Sequence, residues 1–189
     1  MMQQPARTLV FGGARSGKSA YAEKLAAASG KRVVYIATAQ AGDSEMQARI
    51  ALHRLQRPAA WITVEQPLVL GEAIRQHAAP DTLVLVDCLT VWLSNLLFSA
   101  QRDYPDVGKV VPPPAFAQQR DDLLQALQNL QNAQGGIVMV SNEVGMGIVP
   151  QGAVSRWFVD EAGRLNQAVA ALCERVVFIA AGLPLALKG

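Results

Sequence analysis

Short, uninterrupted apolar runs alternate along the chain with longer stretches of mixed composition. Six of the runs have the length and the content of β-branched residues that favour a strand: residues 8–11, 32–37, 61–64, 82–87, 136–141 and 175–180. Residues 82–87 are apolar at consecutive positions, which is typical of a strand covered on both faces. Residues 182–187 are a candidate for a further, antiparallel edge strand.

The stretches between the runs have the composition and the punctuation of helices. The pattern predicts helices over residues 19–28, 45–55, 68–76, 89–100, 116–131 and 155–172. Gly30 fits a C-terminal cap, Pro58 ends the second helix, and residues 102–114 predict a surface loop. Strands alternating with helices predict an α/β protein in one domain, residues 1–189, with a mostly parallel sheet covered by helices on both faces.

Composition excludes several classes of protein. A hydrophobic fraction of 51% with 17% charged residues excludes disorder, and no apolar run approaches the roughly 20 residues of a membrane span. Residues 1–7 lack the apolar core of a signal peptide, so we expect a cytoplasmic protein. A net charge of +2 without a basic block argues against nucleic-acid binding. Cys88 and Cys173 have no metal-site spacing and are expected to be reduced and buried.

The first predicted strand runs directly into a glycine-rich segment that a predicted helix follows. The segment reads Gly12-Gly13-Ala14-Arg15-Ser16-Gly17-Lys18-Ser19. This is the G-x-x-x-x-G-K-[ST] pattern of a phosphate-binding loop, in which backbone N–H groups and a helix N-terminus converge on phosphate oxygens. In such loops the lysine, here Lys18, reaches the β- and γ-phosphates, and the hydroxyl, here Ser19, ligates Mg²⁺. The sequence therefore predicts a nucleotide-binding P-loop NTPase fold, RecA-like in kind.

An acidic partner for the phosphate loop is expected at the end of another strand. Asp87 closes the buried run 82–87 and could hold Mg²⁺ directly or through water. The alternative is that Asp87 caps the helix that follows it.

Residues 43–58 are the most charge-dense part of the chain. At helical spacing Arg49, His53 and Arg57 share one face. A neutral imidazole can attack phosphorus and form a phosphoramidate, and flanking guanidiniums stabilise charge on the attacked phosphate. The alternative is a solvated helix face with a surface histidine.

The motifs together resemble the bifunctional cobinamide kinase / cobinamide-phosphate guanylyltransferase family of cobalamin biosynthesis. The resemblance covers nearly the whole chain and is weakest over residues 102–114. Its matching stretches are residues 12–19, 35–38, 43–50, His53 with residues 57–58, 61–65, 86–96, 140–150 and 156–166. It implies phosphorylation of adenosylcobinamide with ATP or GTP. It also implies transfer of GMP from GTP to the resulting phosphate, with Mg²⁺ as cofactor and a homotrimer as the assembly.

The resemblance also implies roles for individual residues. The family's guanylyl-carrying histidine maps onto His53, while a second histidine that some relatives carry is Leu52 here. The implied nucleotide contacts outside the phosphate loop are Ala37, Thr38, Ala39, Arg54, Leu55, Gln56, Arg57, Glu65 and Asp87.

Several alternatives stay open at this point. Glu65 could accept hydrogen bonds from guanine or ribose, or simply begin a helix before Pro67. Residues 141–145 are expected to line the corrinoid or nucleotide site, or to form a turn. The alternatives for the whole protein are an enzyme that keeps one of the two activities and a P-loop regulatory or binding protein.

Overall fold

A computed structural model describes residues 7–40, 57–100, 103–130 and 135–189. In this part of the chain seven strands form one sheet in the order β3-β2-β4-β5-β1-β6-β7. The strands are β1 Arg7–Gly12, β2 Arg32–Ala37, β3 Ile62–Glu65, β4 Thr82–Asp87, β5 Gly136–Asn142, β6 Arg175–Ala180 and β7 Leu183–Lys188. Neighbouring strands are parallel except β6 and β7, which confirms both the mostly parallel sheet and the antiparallel edge strand.

Five helices lie within the described ranges. They are α1 Lys18–Ala28, α2 Leu70–His77, α3 Leu89–Leu97, α4 Pro114–Asn129 and α5 Ala153–Leu172. The helix predicted over residues 45–55 falls outside the described residues. No helix of the described ranges is both long and apolar enough to cross a membrane.

Helices cover both faces of the sheet, as the apolar runs predict. One buried cluster joins β-strand residues such as Leu9, Ile36 and Val86 to apolar residues of α2, α3, α4 and α5. A second cluster, on the opposite face, joins Val10 and Tyr35 to α1. Consecutive strand residues belong to opposite clusters because side chains alternate across a sheet. We call the two sides the α1 face and the α5 face.

Local hydrogen bonds explain where helix boundaries differ from the sequence pattern. Helix α2 begins at Leu70 rather than at 68, because the side-chain oxygen of Gln66 accepts the N–H groups of Leu68 and Val69 in a preceding turn. Helix α4 begins two residues earlier than predicted, with Pro114 in its first turn, where a missing N–H costs nothing.

The carboxyl ends of β1 and β4 lie on either side of β5. Gly12 of β1 pairs with Asn142 of β5, and Asp87 of β4 pairs with Val140. The chain leaves β1 through α1 towards β2, whereas it leaves β5 through α5 in the opposite direction, towards β6. Such a reversal opens a crevice at the carboxyl edge of the sheet, where ligands of open α/β sheets bind.

Candidate active site

The phosphate loop joins β1 to α1 at this crevice. Gly17 has φ 94° and Arg15 has φ 55°, so the backbone curls back on itself before the helix begins. Lys18 is 9% exposed, and its Nζ donates a hydrogen bond to the carbonyl of Gly13 at 3.2 Å. The N-terminus of α1 has no side-chain cap and no acidic residue in its first turn, so its positive dipole end is left for an anion.

Neighbouring backbone packs directly against this loop. A Cβ at position 12 would lie 2.3 Å from the carbonyl oxygen of Ile179 in β6, so only glycine fits there. The tip of the β6–β7 hairpin supports the other end of the loop, because the N–H of Gly182 donates to the carbonyl of Ser16 at 2.8 Å. The hydroxyl of Ser16 is buried and has no hydrogen-bond partner among the described residues. A phosphate oxygen is the kind of acceptor that would satisfy it.

Asp87 ends β4 on the α1 face of the sheet. The hydroxyl of Tyr35, from β2, donates to Oδ2 of Asp87 at 2.9 Å. Tyr35 is 3% exposed; burial and the negative charge of Asp87 raise the pKa of its hydroxyl, which therefore stays a hydrogen-bond donor. The carboxylate of Asp87 accepts no other hydrogen bond from residues in the described ranges, so Oδ1 is open to a ligand.

Arg57 lies against the far side of the same tyrosine. Its guanidinium carbon is 3.4 Å from the centre of the Tyr35 ring, which is a cation–π contact. Its Nε lies 3.9 Å from Oε1 of Glu23 on α1, and its side chain is only 8% exposed. The structure thus places Arg57 against the α1 face next to the Tyr35–Asp87 pair.

Thr38 connects the ends of β2 and β4. Its hydroxyl donates to the carbonyl of Cys88 at 2.8 Å and accepts the N–H of Cys88 at 2.9 Å. Its own N–H donates to the carbonyl of Asp87 at 3.1 Å, and its carbonyl accepts the side-chain amide of Asn95. The hydroxyl, the N–H and the carbonyl of Thr38 are therefore all used within the protein, and the residue is fully buried.

A buried polar network fixes the end of β5 between the phosphate loop and Asp87. Ser141 donates to Oδ1 of Asn166 on α5 at 2.6 Å and lies 3.2 Å from the hydroxyl of Thr90 on α3. The N–H of Asn142 donates to the Thr90 hydroxyl at 2.6 Å, and its carbonyl accepts the amide of Asn166 at 3.2 Å. These bonds hold the backbone of Asn142, which pairs with Gly12, in place.

The segment after β5 leaves the crevice and is apolar. The N–H of Glu143 donates to the carbonyl of Gly12 at 2.9 Å, so the segment starts at the phosphate loop. Met146, Ile148 and Val149 are then 77%, 98% and 71% exposed. A run of exposed apolar side chains of this kind indicates a binding surface.

Glu65 lies farther away along the same edge of the sheet. It ends β3 and pairs with Ala37, and β3 is four strands from β1. With strands about 4.8 Å apart, Glu65 is roughly 19 Å from the phosphate-loop strand. Glu65 therefore lies well away from Lys18 along the sheet edge.

The predicted site residues that the structure describes fall into two groups. The phosphate loop, Asp87 and the residues that follow β5 meet at one crevice, and Ala37, Thr38, Ala39 and Glu65 follow along the edge. The candidate nucleophile and the contacts beside it, His53, Arg54, Leu55 and Gln56, lie outside the described residues, as does Arg49.

Sequence reasoning assigned no role to Tyr35, Thr90 or Asn166. For Tyr35 one observation could have been used. Side chains alternate across a strand, so Tyr35 lies on the same face of β2 as Ala37, and Ala37 pairs with Asp87 in the neighbouring strand. Thr90 and Asn166 reach Asn142 from helices 52 and 24 residues away in sequence, and no local pattern reports that contact.

Comparisons with known proteins show the family to which the chain belongs. The model of the cobinamide kinase / cobinamide phosphate guanyltransferase family matches residues 8–187. The bifunctional adenosylcobalamin biosynthesis protein CobP of Pseudomonas aeruginosa is 52% identical over 183 residues, covering 97% of this chain and 98% of that protein. The bifunctional adenosylcobalamin biosynthesis protein CobU of Escherichia coli is 41% identical over 182 residues, covering 95% of this chain and 98% of that protein.

Solved structures add a likeness of fold. The RadB recombinase superposes with a TM-score of 0.50 at 16% identity, over 92% of this chain and 73% of the recombinase. The ATPase EscN of the enteropathogenic E. coli type III secretion system gives a TM-score of 0.51 at 15% identity, over 94% of this chain and 43% of EscN. The predicted P-loop NTPase fold is thereby confirmed.

Proposed function

Because the chain belongs to the cobinamide kinase / cobinamide phosphate guanyltransferase family, we propose that it performs both reactions in that name. It phosphorylates the hydroxyl of adenosylcobinamide with ATP or GTP and then attaches GMP from GTP to that phosphate. The observation that carries the proposal is the crevice itself. A phosphate loop with a buried lysine, an uncapped helix N-terminus and the carboxylate of Asp87 meet there, in a chain that matches the family model over residues 8–187.

The kinase reaction follows from the phosphate loop. Backbone N–H groups of residues 12–19 and the ammonium of Lys18 hold the β- and γ-phosphates and offset the charge that spreads over the transferred group. The substrate hydroxyl oxygen attacks the γ-phosphorus, the bond to the β-phosphate oxygen breaks, and the hydroxyl proton is lost to solvent or phosphate. The nucleoside diphosphate leaves with its new charge still held by the loop.

Mg²⁺ fits the residues at this site. The described residues contain no group of three or more His, Cys, Asp and Glu side chains that could hold a metal by themselves. Mg²⁺ in phosphoryl-transfer sites instead takes one or two protein oxygens and completes its shell with phosphates and water. We assign these oxygens to the hydroxyl of Ser19 and the free oxygen of Asp87. When bound, the ion would neutralise charge on the transferred phosphoryl group.

The guanylyl transfer needs a second nucleophile, which we assign to His53. Its imidazole attacks the α-phosphorus of GTP, the bond to the β-phosphate oxygen breaks, and pyrophosphate leaves into the same phosphate loop. An oxygen of adenosylcobinamide phosphate then attacks the phosphoramidate, which releases the histidine and forms the GDP-linked corrinoid. The contact between Arg57 and Tyr35 supports this assignment. Arg57 comes four residues after His53, and it packs on the ring of Tyr35, whose hydroxyl bonds Asp87.

The remaining contacts complete the proposal. Ala37, Ala39, Arg54, Leu55, Gln56, Arg57 and Glu65 are assigned to the nucleotide, whereas Thr38, which is fully buried and bonded within the protein, holds the segment between Ala37 and Ala39 in place. We assign Glu65, roughly 19 Å along the sheet edge from the phosphate loop, to the base or ribose end of the nucleotide. Residues 141–145 are assigned to the corrinoid or nucleotide site. The assembly is a homotrimer, and the exposed apolar side chains after β5 supply surface that a subunit contact could bury.

A corrinoid product assay tests the kinase half. The chain is incubated with adenosylcobinamide, Mg²⁺ and either ATP or GTP, and the corrinoids are separated and weighed by mass spectrometry. Wild type yields the phosphate ester with ATP, and the GDP-linked product once GTP is added. Lys18→Ala is expected to lower ester formation at least a hundredfold, since loss of one preorganised charge contact costs that much.

Lys24→Ala is the matched control, because Lys24 is an exposed lysine of the same helix. It is expected to leave both products unchanged. Normal ester formation by Lys18→Ala would show that the phosphate loop does not hold the phosphoryl donor.

A further inference from the structure

Tyr35 contacts both charged groups that flank it on the α1 face. Its hydroxyl donates to Oδ2 of Asp87 at 2.9 Å, and its ring carries the guanidinium of Arg57 at 3.4 Å. Burial leaves the side chain 3% exposed, so neither contact competes with bulk water. Tyr35 also belongs to the second buried cluster, which packs against α1 and fixes the ring.

The bond to Asp87 restricts how that carboxylate can turn. The side chain of an aspartate can rotate about two bonds. A hydrogen bond from a buried hydroxyl to one of its oxygens removes most of that freedom. With Oδ2 engaged, Oδ1 stays free of described partners and lies on the side of the sheet where α1 begins with Lys18. Hydrogen bonds of this kind orient carboxylates that bind metal ions, and their loss typically weakens metal affinity 10- to 100-fold.

We propose that Tyr35 is a positioning residue that aims the carboxylate of Asp87 at the Mg²⁺ of the nucleotide complex. The positive charge of Arg57 over the ring makes the Tyr35 hydroxyl a stronger hydrogen-bond donor. Arg57 therefore strengthens the hydrogen bond from Tyr35 to Asp87 through its contact with the ring. This inference rests on the metal role that we assign to Asp87 above.

The test measures metal-dependent nucleotide binding rather than turnover. A fluorescent GTP analogue is titrated onto the full chain at a series of Mg²⁺ concentrations, and the Mg²⁺ concentration for half-maximal binding is recorded. Tyr35→Phe keeps the ring under Arg57 and removes only the hydroxyl. It is expected to raise the half-maximal Mg²⁺ concentration about tenfold or more, and saturating Mg²⁺ is expected to restore full binding.

Tyr104→Phe is the matched control. Tyr104 is a partly buried tyrosine elsewhere in the chain, and its hydroxyl donates to the carbonyl of Leu97 at 2.7 Å. Both variants lose one hydroxyl that donates a hydrogen bond within the protein, but only Tyr35→Phe is expected to change the Mg²⁺ requirement. Tyr35→Met, which also lacks the hydroxyl and adapts to the space left by the ring, repeats the test in a second background.

Asp87→Asn separates the failure of this inference from the failure of the proposed metal role. If Asp87→Asn raises the Mg²⁺ requirement and Tyr35→Phe leaves it within twofold of wild type, the positioning role is wrong and the metal role stands. If Asp87→Asn itself has no effect, the metal role is wrong, and the positioning role is lost with it. Where the inference holds, adding Tyr35→Phe to Asp87→Asn changes nothing further.

Discussion

Two adjacent glycines of the phosphate loop have very different surroundings. A Cβ on Gly12 would lie 2.3 Å from the carbonyl oxygen of Ile179, which belongs to the neighbouring strand β6. A Cβ on Gly13 would have no atom within 4 Å. The same pattern in the sequence therefore contains one glycine that packing demands and one that it does not.

Substituting the two glycines in turn tests this difference. Gly12→Ala is expected to lower the free energy of unfolding by about 1–3 kcal/mol, because a strand carbonyl cannot move aside without breaking its ladder. Gly13→Ala is the control and is expected to change the free energy of unfolding by less than about 0.5 kcal/mol. Urea denaturation measures both values. Equal losses in the two variants would contradict the close packing of Gly12 against β6.

Sequence predicts single residues well where the chemistry is local in the chain. Lys18, Ser19 and the loop glycines are adjacent in one pattern, and Asp87 directly ends an apolar run. The pairing of Tyr35 with Asp87 spans 52 residues and depends on which strands are neighbours. The alternation of side chains along each strand predicts which face Tyr35 and Asp87 occupy, but it does not show that β2 and β4 are neighbouring strands.

At the scale of elements, the β6–β7 hairpin is also the support of the phosphate loop. Its two turn residues, Ala181 and Gly182, have φ 51° and 78°, the left-handed pair that suits a tight hairpin. Gly182 donates its N–H to Ser16, so the turn geometry sets the position of the loop. Ala181 pays a steric penalty at this φ that asparagine or glycine would not.

Ala181→Asn is expected to stabilise the protein. Asn-Gly is the preferred pair for this turn, and the change is expected to raise the free energy of unfolding by about 0.5–1 kcal/mol. Ala180→Asn, one residue earlier in β6, is the control and is expected to give no gain, since asparagine is unfavourable in a strand. Thermal or urea unfolding of the two variants checks the ranking, and a gain from Ala180→Asn alone would show that the turn is not the cause.

The type of each strand and helix could be predicted from the sequence, but their exact ends and the order of the strands in the sheet could not. Each apolar run became a strand, and the pattern is clearest where the strand is buried, as in β4, whereas β3 at the sheet edge is mostly exposed. The start of α2 was predicted two residues early, because the side chain of Gln66 competes for the first N–H groups. The strand order places β5 between β4 and β1, and no periodicity in the sequence carries that information.

At the scale of the whole molecule, the low charge fraction reflects a sheet buried on both sides. The two cysteines lie in different clusters: Cys88 on the α1 face and Cys173 on the α5 face. Both are free and buried, as predicted. Burial, with the negative charge of Asp87, raises the pKa of Cys88 to about 11. Burial, with Glu174, raises that of Cys173 to about 12.

Thiol reactivity therefore reports on each face separately. At pH 8 both thiols are protonated in the folded protein, and Ellman's reagent is expected to modify them at least a hundredfold more slowly than an unfolded thiol, whose pKa is about 8.5. GTP with Mg²⁺ is expected to slow Cys88, which follows Asp87, more than Cys173. Cys88→Ala and Cys173→Ala assign the two rates, and fast modification of either thiol at pH 8 would contradict its burial.

The same pKa values fix the direction of an alkaline effect. Because the folded-state pKa of each thiol is raised, the unfolded chain loses its protons first as the pH rises. The contribution of the thiols to stability is complete below about pH 8.5. It declines between there and about pH 11–12.

Covalent labelling with GTP tests most directly the proposal that both reactions run at one edge of the sheet. Wild type, His53→Ala and Lys24→Ala are incubated with Mg²⁺ and GTP labelled at the α-phosphate. We predict an acid-labile, alkali-stable adduct on wild type and on Lys24→Ala, and none on His53→Ala, which still phosphorylates adenosylcobinamide. A wild-type chain that forms no adduct, or a His53→Ala variant that forms it normally, would contradict the account.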